Sequence, residues 1–234
     1  MIKKILDKIK LKTNIYKDPA KNLDCTEFEV DNWAISRFII DKIIPIVGVH
    51  PYPISELNLM VATLTYFKPK YIFEWGTNIG KSARIFYETM KHFNLKCDIF
   101  SIDLPDNIEH NEHPHKKRGM LVKNIKTVKL IKGDGLEESL KLCKDIDDRK
   151  NILFFLDGDH SYESVSKELS TILNFSTDLK ILVHDTFYQS DKANYNIGPY
   201  KAISNTLENR KEKFKTISTN LGLPGLTLIY TKKF

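Results

Sequence analysis

The sequence predicts an α/β fold: a doubly wound, mostly parallel sheet that ends in an antiparallel pair and carries a helical N-terminal cap. Three observations lead there. After Pro69, short apolar runs recur, each followed by a polar turn and then a helical stretch. Runs this apolar, bounded by polar turns, fit strands buried on both faces of a parallel sheet. The last two runs are joined by so short a loop that they can pair only antiparallel.

Helical signals come first along the chain. Trp33 to Val47 is apolar with charges at Arg37, Asp41 and Lys42, and Pro45 marks its end region. Pro51 and Pro53 fix a turn, and Ser55 is the expected N-cap of a helix carrying Leu57, Val61 and Leu64 on one face. The expected parallel strands are Tyr71–Phe73, Ile99–Ile102, Val128–Ile131, Ile152–Leu156 and Lys180–Val183. Helices are expected around Phe86, Met90 and Phe93 after the first, and around Val165, Leu169 and Ile172 after the fourth. Such alternation implies right-handed crossovers between parallel strands. In the tail, Tyr200, Ile203 and Leu207 mark a last helix. Phe214–Ser218 and Leu226–Thr231 then form the antiparallel pair, joined by a loop with Gly222, Pro224 and Gly225. No internal repeat or low-complexity linker interrupts the chain, so residues 1–68 read as a helical cap and residues 69–234 as the core domain.

Composition limits the class. The 234 residues, 41% hydrophobic and 28% charged, suit one good-sized globular domain with an appended cap. No apolar run approaches the roughly 20 residues that span a bilayer, and the N-terminal MIKKILDKIKLK never becomes a clean signal-peptide core. With three widely spaced cysteines, Cys25, Cys97 and Cys143, the expectation is a soluble cytoplasmic protein with reduced thiols. The net charge is +6, but the excess lysines cluster near the ends without the basic–aromatic interleaving that suits nucleic acid, so no nucleic-acid partner is expected. Ile2, Ile5 and Ile9 form an apolar face that suits packing on the protein body or on a second subunit of a homo-oligomer better than stable membrane insertion.

In a doubly wound sheet the ligand sits outside the carboxyl ends of the strands. Those positions read Glu74-Trp-Gly-Thr-Asn-Ile-Gly, Asp103-Leu-Pro, Gly133-Asp-Gly, Asp157-Gly-Asp-His and His184-Asp-Thr, so carboxylates recur there. The stretch FEWGTNIGKS has two readings. Its ending, Gly80-Lys81-Ser82, is that of a nucleotide-triphosphate loop, but that loop needs glycine where Trp75 stands, and Glu74 adds negative charge at its mouth. The dinucleotide fingerprint fails as well. What remains is Gly76-x-Asn78-x-Gly80, in which the glycines admit a ligand closely and Asn78 tolerates the left-handed conformation. An acid on the first strand suits a ligand ammonium, and Asp103 on the second suits a ribose diol. S-Adenosylmethionine carries both.

The motifs FEWGTNIGKSARIF, FSIDLP, IKGDGLE, FLDGDHSYESVSKEL and LVHDTF resemble those of class I S-adenosylmethionine-dependent methyltransferases. The nearest branch by these motifs is the metal-assisted O-methyltransferases, related to catechol O-methyltransferase and to the cephalosporin-hydroxylase-like and sugar O-methyltransferase groups. The resemblance covers residues 69–234 and implies a Rossmann-like seven-stranded sheet with an antiparallel last strand. It implies that Glu74, Gly76 and Gly80 line the methionine moiety with Asn78 between them, that Ser82 holds its carboxylate, that Asp103 binds the ribose and that Asp134 lies by the adenine. Asn78 departs from the glycine many members carry.

The same resemblance puts metal ligands at Asp157, His184 and Asp185, which end neighbouring strands. His184 departs from the all-oxygen set that Mg²⁺ prefers and brings Mn²⁺ or a later transition metal into range. The alternative is that Asp157 and Asp185 cap the helices that follow. His160 is the candidate general base: catechol-type enzymes carry a basic side chain at this offset, and an ordinary imidazole pKa near 6.5 suits proton removal at neutral pH. Alternatively, His160 caps the helix beginning around Ser161 or orders the loop, and His184 serves as base. The loop 111–119, with His113 and His115 and with His110 just before it, reads as a charged lid. Its run Lys116-Lys117-Arg118 would favour an acidic or phosphorylated acceptor such as a nucleotide-linked sugar. The function expected is O-methylation of a hydroxyl on a small-molecule acceptor, a sugar or secondary metabolite, assisted by Mg or Mn. Set against it are a metal-independent or N-methylating enzyme with the same cofactor, a P-loop-like nucleotide-binding module and a non-catalytic scaffold.

Overall fold

A computed structural model describes residues 27–108, 117–176, 178–193, 195 and 197–232. The expectations for residues 1–12, Cys25, His110, His113, His115 and Lys116 fall outside the described residues. The chain divides into two compact units. The described part of one is residues 27–68 with Arg84–Lys96; the other comprises Pro69–Ala83 and the chain from Cys97 onward.

In the first unit, α1 (Asn32–Phe38) starts at Asp31, whose carboxylate accepts the Ala34 N–H at 3.1 Å. The helix does not then run on regularly to Val47. It widens into a π-helical turn, Ile39–Ile43, before a last α-helical turn, α2 (Ile44–Val47). Pro45 is the physical reason: it lacks an N–H and its ring crowds the carbonyl four residues back, so the chain bonds with a longer step, Ile44 N–H to the Ile39 carbonyl. The next helix, α3 (Ile54–Phe67), corrects the expected cap. Ser55 lies inside the helix, and Pro53 holds the N-cap position, its carbonyl accepting the Glu56 and Leu57 N–H groups at 2.9 Å. Leu57, Val61 and Leu64 are buried as expected, but Leu59, Met60 and Ala62 are too, so the helix has no wet apolar-opposed face. On α4 (Lys81–His92), His92 stacks on Phe38 at 4.4 Å.

The second unit holds the sheet. Its strands are β1 (Tyr71–Trp75), β2 (Asp98–Asp103), β3 (Val128–Lys132), β4 (Ile152–Leu156), β5 (Lys180–His184), β6 (Phe214–Ser218) and β7 (Leu226–Thr231). They form one seven-stranded sheet in the order β3-β2-β1-β4-β5-β7-β6. The first five run parallel, and β7 runs antiparallel to both β5 and β6. The chain steps outward from β1 to β3, returns to the other side of β1 at β4, and steps outward again. The crevice of a doubly wound sheet opens at such a reversal. β4 and β5 are buried along their whole length, as their unbroken apolar runs require. β3 is the exception to the expectation of strands buried on both faces. It is an edge strand that exposes Lys129, Leu130 and Lys132, and charge along an open edge discourages pairing with another chain.

Three helices pack on one face of this sheet: α5 (Gly135–Cys143), α6 (Tyr162–Phe175) and α7 (Ile197–Leu207). The shared core stacks Phe73 between Phe100 (4.7 Å) and Phe154 (5.8 Å), with Leu169, Ile172 and Ala202 from the helices. Burying each large side chain is worth about 1.5–3 kcal/mol. On α7 the buried residues are Pro199, Ala202 and Leu207; Tyr200, expected on the core face, is exposed and stacks on Tyr188 at 4.6 Å. Among the described residues no helix is long and apolar enough to cross a membrane.

Trp75 closes β1 from below. Its indole fills the space over Gly135 and Gly158, where an added Cβ would lie 2.3 Å and 3.0 Å from ring atoms, and its N–H donates to Glu168 Oε1 at 3.0 Å. Burial pushes the Glu168 carboxyl up to about 8, against the pull of the Trp75 hydrogen bond. A folded-state pKa raised from 4.5 to about 8 means that the folded chain holds this proton more tightly; the stability it contributes is complete below about pH 4.5 and is lost as pH rises towards 8. Glu168→Gln keeps an acceptor for Trp75 and removes the ionisation. Thermal melts at about pH 5 and about pH 8.5 should show a smaller fall in Tm with pH than the parent protein shows.

Candidate active site

Sheet register brings the strand-end residues together. Trp75 pairs with Ile102 on one side and Leu156 on the other, and Leu156 pairs with Val183. One residue further on, Gly76 therefore lies between Asp103 and Asp157, and Asp157 lies beside His184. The loop after β1 alternates left-handed positions, Gly76 (φ 92°), Asn78 (φ 45°) and Gly80 (φ 88°), as the Gly-x-Asn-x-Gly spacing anticipates. At Gly76 an added Cβ would lie 1.9 Å from the Asp157 carbonyl oxygen, so the close approach there is by the β4 backbone. The loop is held on its other flank by residues after the charged segment: Gly119 N–H donates to the Asn78 carbonyl at 2.7 Å and Leu121 N–H to Ile79 at 3.1 Å.

Glu74 pairs across the sheet with Ser101, whose hydroxyl donates to Oε1 at 2.5 Å; Ser101 in turn meets the Thr77 hydroxyl at 2.7 Å. Burial raises the Glu74 carboxyl to about 7, opposed by the Ser101 and Ser82 hydroxyls and assisted by the negative charges of Asp157 and Asp103. Its second oxygen is buried with no hydrogen-bond partner among the described residues. Ser82, the second residue of α4, is buried. Asp103, at the end of β2, accepts the Asn78 N–H at 3.1 Å and the Leu104 N–H at 2.8 Å. Arg118 Nε lies 3.2 Å from the same carboxylate. Asp134 caps α5, accepting the Glu137 N–H at 2.9 Å, a local duty that leaves lone pairs free.

On the other side of Gly76, Asp157, His184 and Asp185 each offer one ligand atom, all within 4.8 Å of one another. His184 Nδ1 is 2.9 Å from Asp157 Oδ1, and His160 Nδ1 is 3.1 Å from Asp185 Oδ2. The helix-capping alternative fails for both acids. Ser161 caps α6 through the Ser164 N–H, and among the described residues no helix begins after Asp185 until Ile197. Asp185 is itself left-handed at φ 58°, a conformation unusual for a non-glycine residue. The loop between β6 and β7 pins it there: Thr186 N–H donates to the Gly225 carbonyl at 3.1 Å and Phe187 N–H to Pro224 at 3.0 Å. Sequence reasoning missed this brace, as it missed Ser101, Thr77 and Arg118, because nothing local links them to the strand ends. The nucleotide-triphosphate alternative is set aside, since the residue where its first glycine should stand, Trp75, belongs to β1 and the core.

The family model for rhamnosyl O-methyltransferase/CmcI matches residues 47–221. The chain belongs to this family. It is a class I S-adenosylmethionine-dependent O-methyltransferase, the kind the strand-end motifs resemble. Solved structures share the fold at low identity. A methyltransferase of Podospora anserina bound to S-adenosylhomocysteine has a TM-score of 0.54 and 19% identity over 97% of this chain and 96% of that one. An O-methyltransferase of Bacillus cereus in complex with S-adenosylhomocysteine has a TM-score of 0.54 and 13% identity, covering 85% and 91%. A CmcI structure with Mg and S-adenosylmethionine has a TM-score of 0.50 and 15% identity, covering 74% and 71%. No curated protein sequence matches the chain.

The contact at Gly76 makes a sharp contrast with another left-handed glycine of the O-methyltransferase, Gly48 (φ 74°), where an added Cβ would meet nothing within 4 Å. Gly48→Ala should cost roughly 1–3 kcal/mol of backbone strain, whereas Gly76→Ala adds to its strain a clash against β4 and should cost clearly more. Denaturant unfolding of the two variants reads the difference.

Proposed function

We propose that this O-methyltransferase methylates a hydroxyl of a small hydroxylated acceptor, a sugar, nucleotide-linked sugar or secondary metabolite, with help from a divalent metal ion. The observation that carries the metal is the convergence of Asp157, His184 and Asp185, with ligand atoms within 4.8 Å of one another at the ends of β4 and β5. The donor set fits such an ion: two carboxylates and an imidazole suit Mn²⁺ or a later metal, and Mg²⁺ less well. A CmcI structure that carries Mg and S-adenosylmethionine is in keeping with a divalent ion. A bound ion here would act as a Lewis acid and lower the pKa of an acceptor hydroxyl.

The cofactor fit rests on the glycine loop. The buried, unpartnered Glu74 oxygen suits the ammonium of an amino-acid moiety, and the ordered Asp103 carboxylate suits a ribose diol. In this reading Ser82 helps hold the amino-acid end, Asp134 lies by the adenine, and Gly76, Asn78 and Gly80 form the wall between. S-Adenosylmethionine supplies a methyl group on a sulfonium for in-line transfer. The chain's own work is to align the acceptor, exclude water and take its proton.

His160 is suited to take that proton. A neutral imidazole that donates through Nδ1 to Asp185 keeps Nε2 as the acceptor, and its half-exposed ring leaves that atom open to an acceptor molecule. The same geometry favours a second reading. The His160–Asp185 and His184–Asp157 contacts already satisfy each other, as two histidine–carboxylate pairs of a metal-independent enzyme would.

A methyl-transfer screen with labelled cofactor against nucleotide sugars, sugar phosphates and catechols, with and without Mg²⁺ or Mn²⁺, separates the two. The metal reading expects ion-stimulated transfer that chelators and Asp185→Ala abolish, with S-adenosylhomocysteine affinity nearly unchanged. Transfer that needs no added ion and resists chelators belongs to the metal-independent reading, in which Asp185→Ala still slows it through His160. His160→Ala should lower kcat by roughly 10²–10⁴-fold and remove the acid limb of the pH–rate profile, with Tm and cofactor affinity barely moved. A fall of less than about threefold with that limb intact would transfer the role to His184.

A further inference from the structure

Arg118 comes from the basic run that sequence reasoning assigned to an acidic acceptor, yet its guanidinium points elsewhere. Its side chain is 14% exposed, with Nε 3.2 Å from Asp103 Oδ2. Nη1 donates to the Leu104 carbonyl at 2.5 Å and meets Asp106 Oδ1 at 3.0 Å. Asp106 also contacts Lys132 on the edge strand. The next residue ties back to the glycine loop, since Gly119 N–H donates to the Asn78 carbonyl at 2.7 Å and Asn78 N–H donates to Asp103 Oδ2 at 3.1 Å. Asn78, Asp103, Arg118 and Gly119 therefore form a closed ring of contacts around one carboxylate.

We infer that Arg118 is a positioning residue for the adenosyl cofactor: it fixes the orientation of the Asp103 carboxylate towards the ribose hydroxyls. This rests on the cofactor reading above. The physical need is plain. Glu74, Asp103 and Asp157 crowd three carboxylates around one loop, and Glu74 is raised in part by the other two. A carboxylate that must receive two hydroxyls needs fixed lone pairs and a compensating charge. A guanidinium offers both, because its donors are planar and its charge is permanent. Arg118 approaches Oδ2 together with the Asn78 N–H, while among the described residues Oδ1 takes the Leu104 N–H, which leaves room on both oxygens for further donors.

The test is a double-mutant cycle on the full chain, with S-adenosylhomocysteine affinity measured by calorimetry and Tm recorded for each variant. Arg118→Ala should weaken binding about tenfold, and Arg118→Lys should restore part of the loss. In an Asp103→Asn background, Arg118→Ala should cost little more, because its effect runs through that carboxylate. Asp106→Asn, which removes only the outer partner, should leave affinity within about twofold. Equal losses from Arg118→Ala in both backgrounds, or a loss from Asp106→Asn as large as that from Arg118→Ala, would overturn the inference in favour of a structural brace. Unchanged affinity in Arg118→Ala also overturns it. Failure of the unaltered protein to bind S-adenosylhomocysteine would instead strike the cofactor reading itself.

Discussion

The contact on which the site depends is between the β1 loop and the backbone of β4. Gly76 lies against the Asp157 carbonyl so closely that no side chain could stand between them, and the Asp157 N–H donates back to the Trp75 carbonyl at 3.2 Å. Parallel pairing on both sides of β1 then has one outcome: the ends of β2, β1, β4 and β5 finish level, and the next residue of each chain faces its neighbour. Asp103 and Glu74 fall on one side of the glycine and Asp157, His184 and Asp185 on the other. In the proposed reading, a cofactor half and a metal half would thus be separated by a single residue without a side chain, the arrangement needed if a methyl donor and an acceptor hydroxyl are to meet end to end.

Electrostatics follow from that convergence. Strand ends crowded with carboxylates repel one another, and the protein answers each in a different way. Glu74 is buried, lifted to about 7 and bonded by Ser101. Asp103 is held by two backbone N–H groups and a guanidinium. Asp157 and Asp185 meet histidines at 2.9 Å and 3.1 Å. Among these strand-end carboxylates, Glu74 keeps a buried oxygen without a donor among the described residues, and a ligand cation is the natural group to complete it.

Much of this was legible in the sequence because it is local. Ile152–Leu156, Phe214–Ser218 and Leu226–Thr231 read as strands to the residue, the first as an unbroken apolar run and the other two as β-branched and aromatic stretches on either side of a loop with Gly222, Pro224 and Gly225. The left-handed series Gly76, Asn78 and Gly80 was legible from residue type alone. What escaped depends on distant partners or on competition at a boundary. Ser55 looks like an N-cap until Pro53 supplies a carbonyl in its place. Pro45 looks like a stop until the chain widens into a π turn instead. The exposed face of β3 follows from its place at the sheet edge, which no run of residues announces. Arg118 belongs to a run of like charges, and only the fold reveals that its side chain turns inward to Asp103.

The brace on Asp185 also bears on the order in which the protein acquires its chemistry. β7 sits between β5 and β6, so β6 has no place in the sheet until β7 has inserted, and the loop joining these two strands carries the Pro224 and Gly225 carbonyls that pin Thr186 and Phe187. Asp103 and the glycine loop take their contacts from the chain up to Asp157, whereas the bonds that hold the residues after Asp185 come from the final hairpin. Long-range pairing of this kind is the slow part of folding. In the proposed reading, the cofactor cradle thus finds its partners earlier along the chain than the His160–Asp185 pair, whose backbone brace arrives with the last strand.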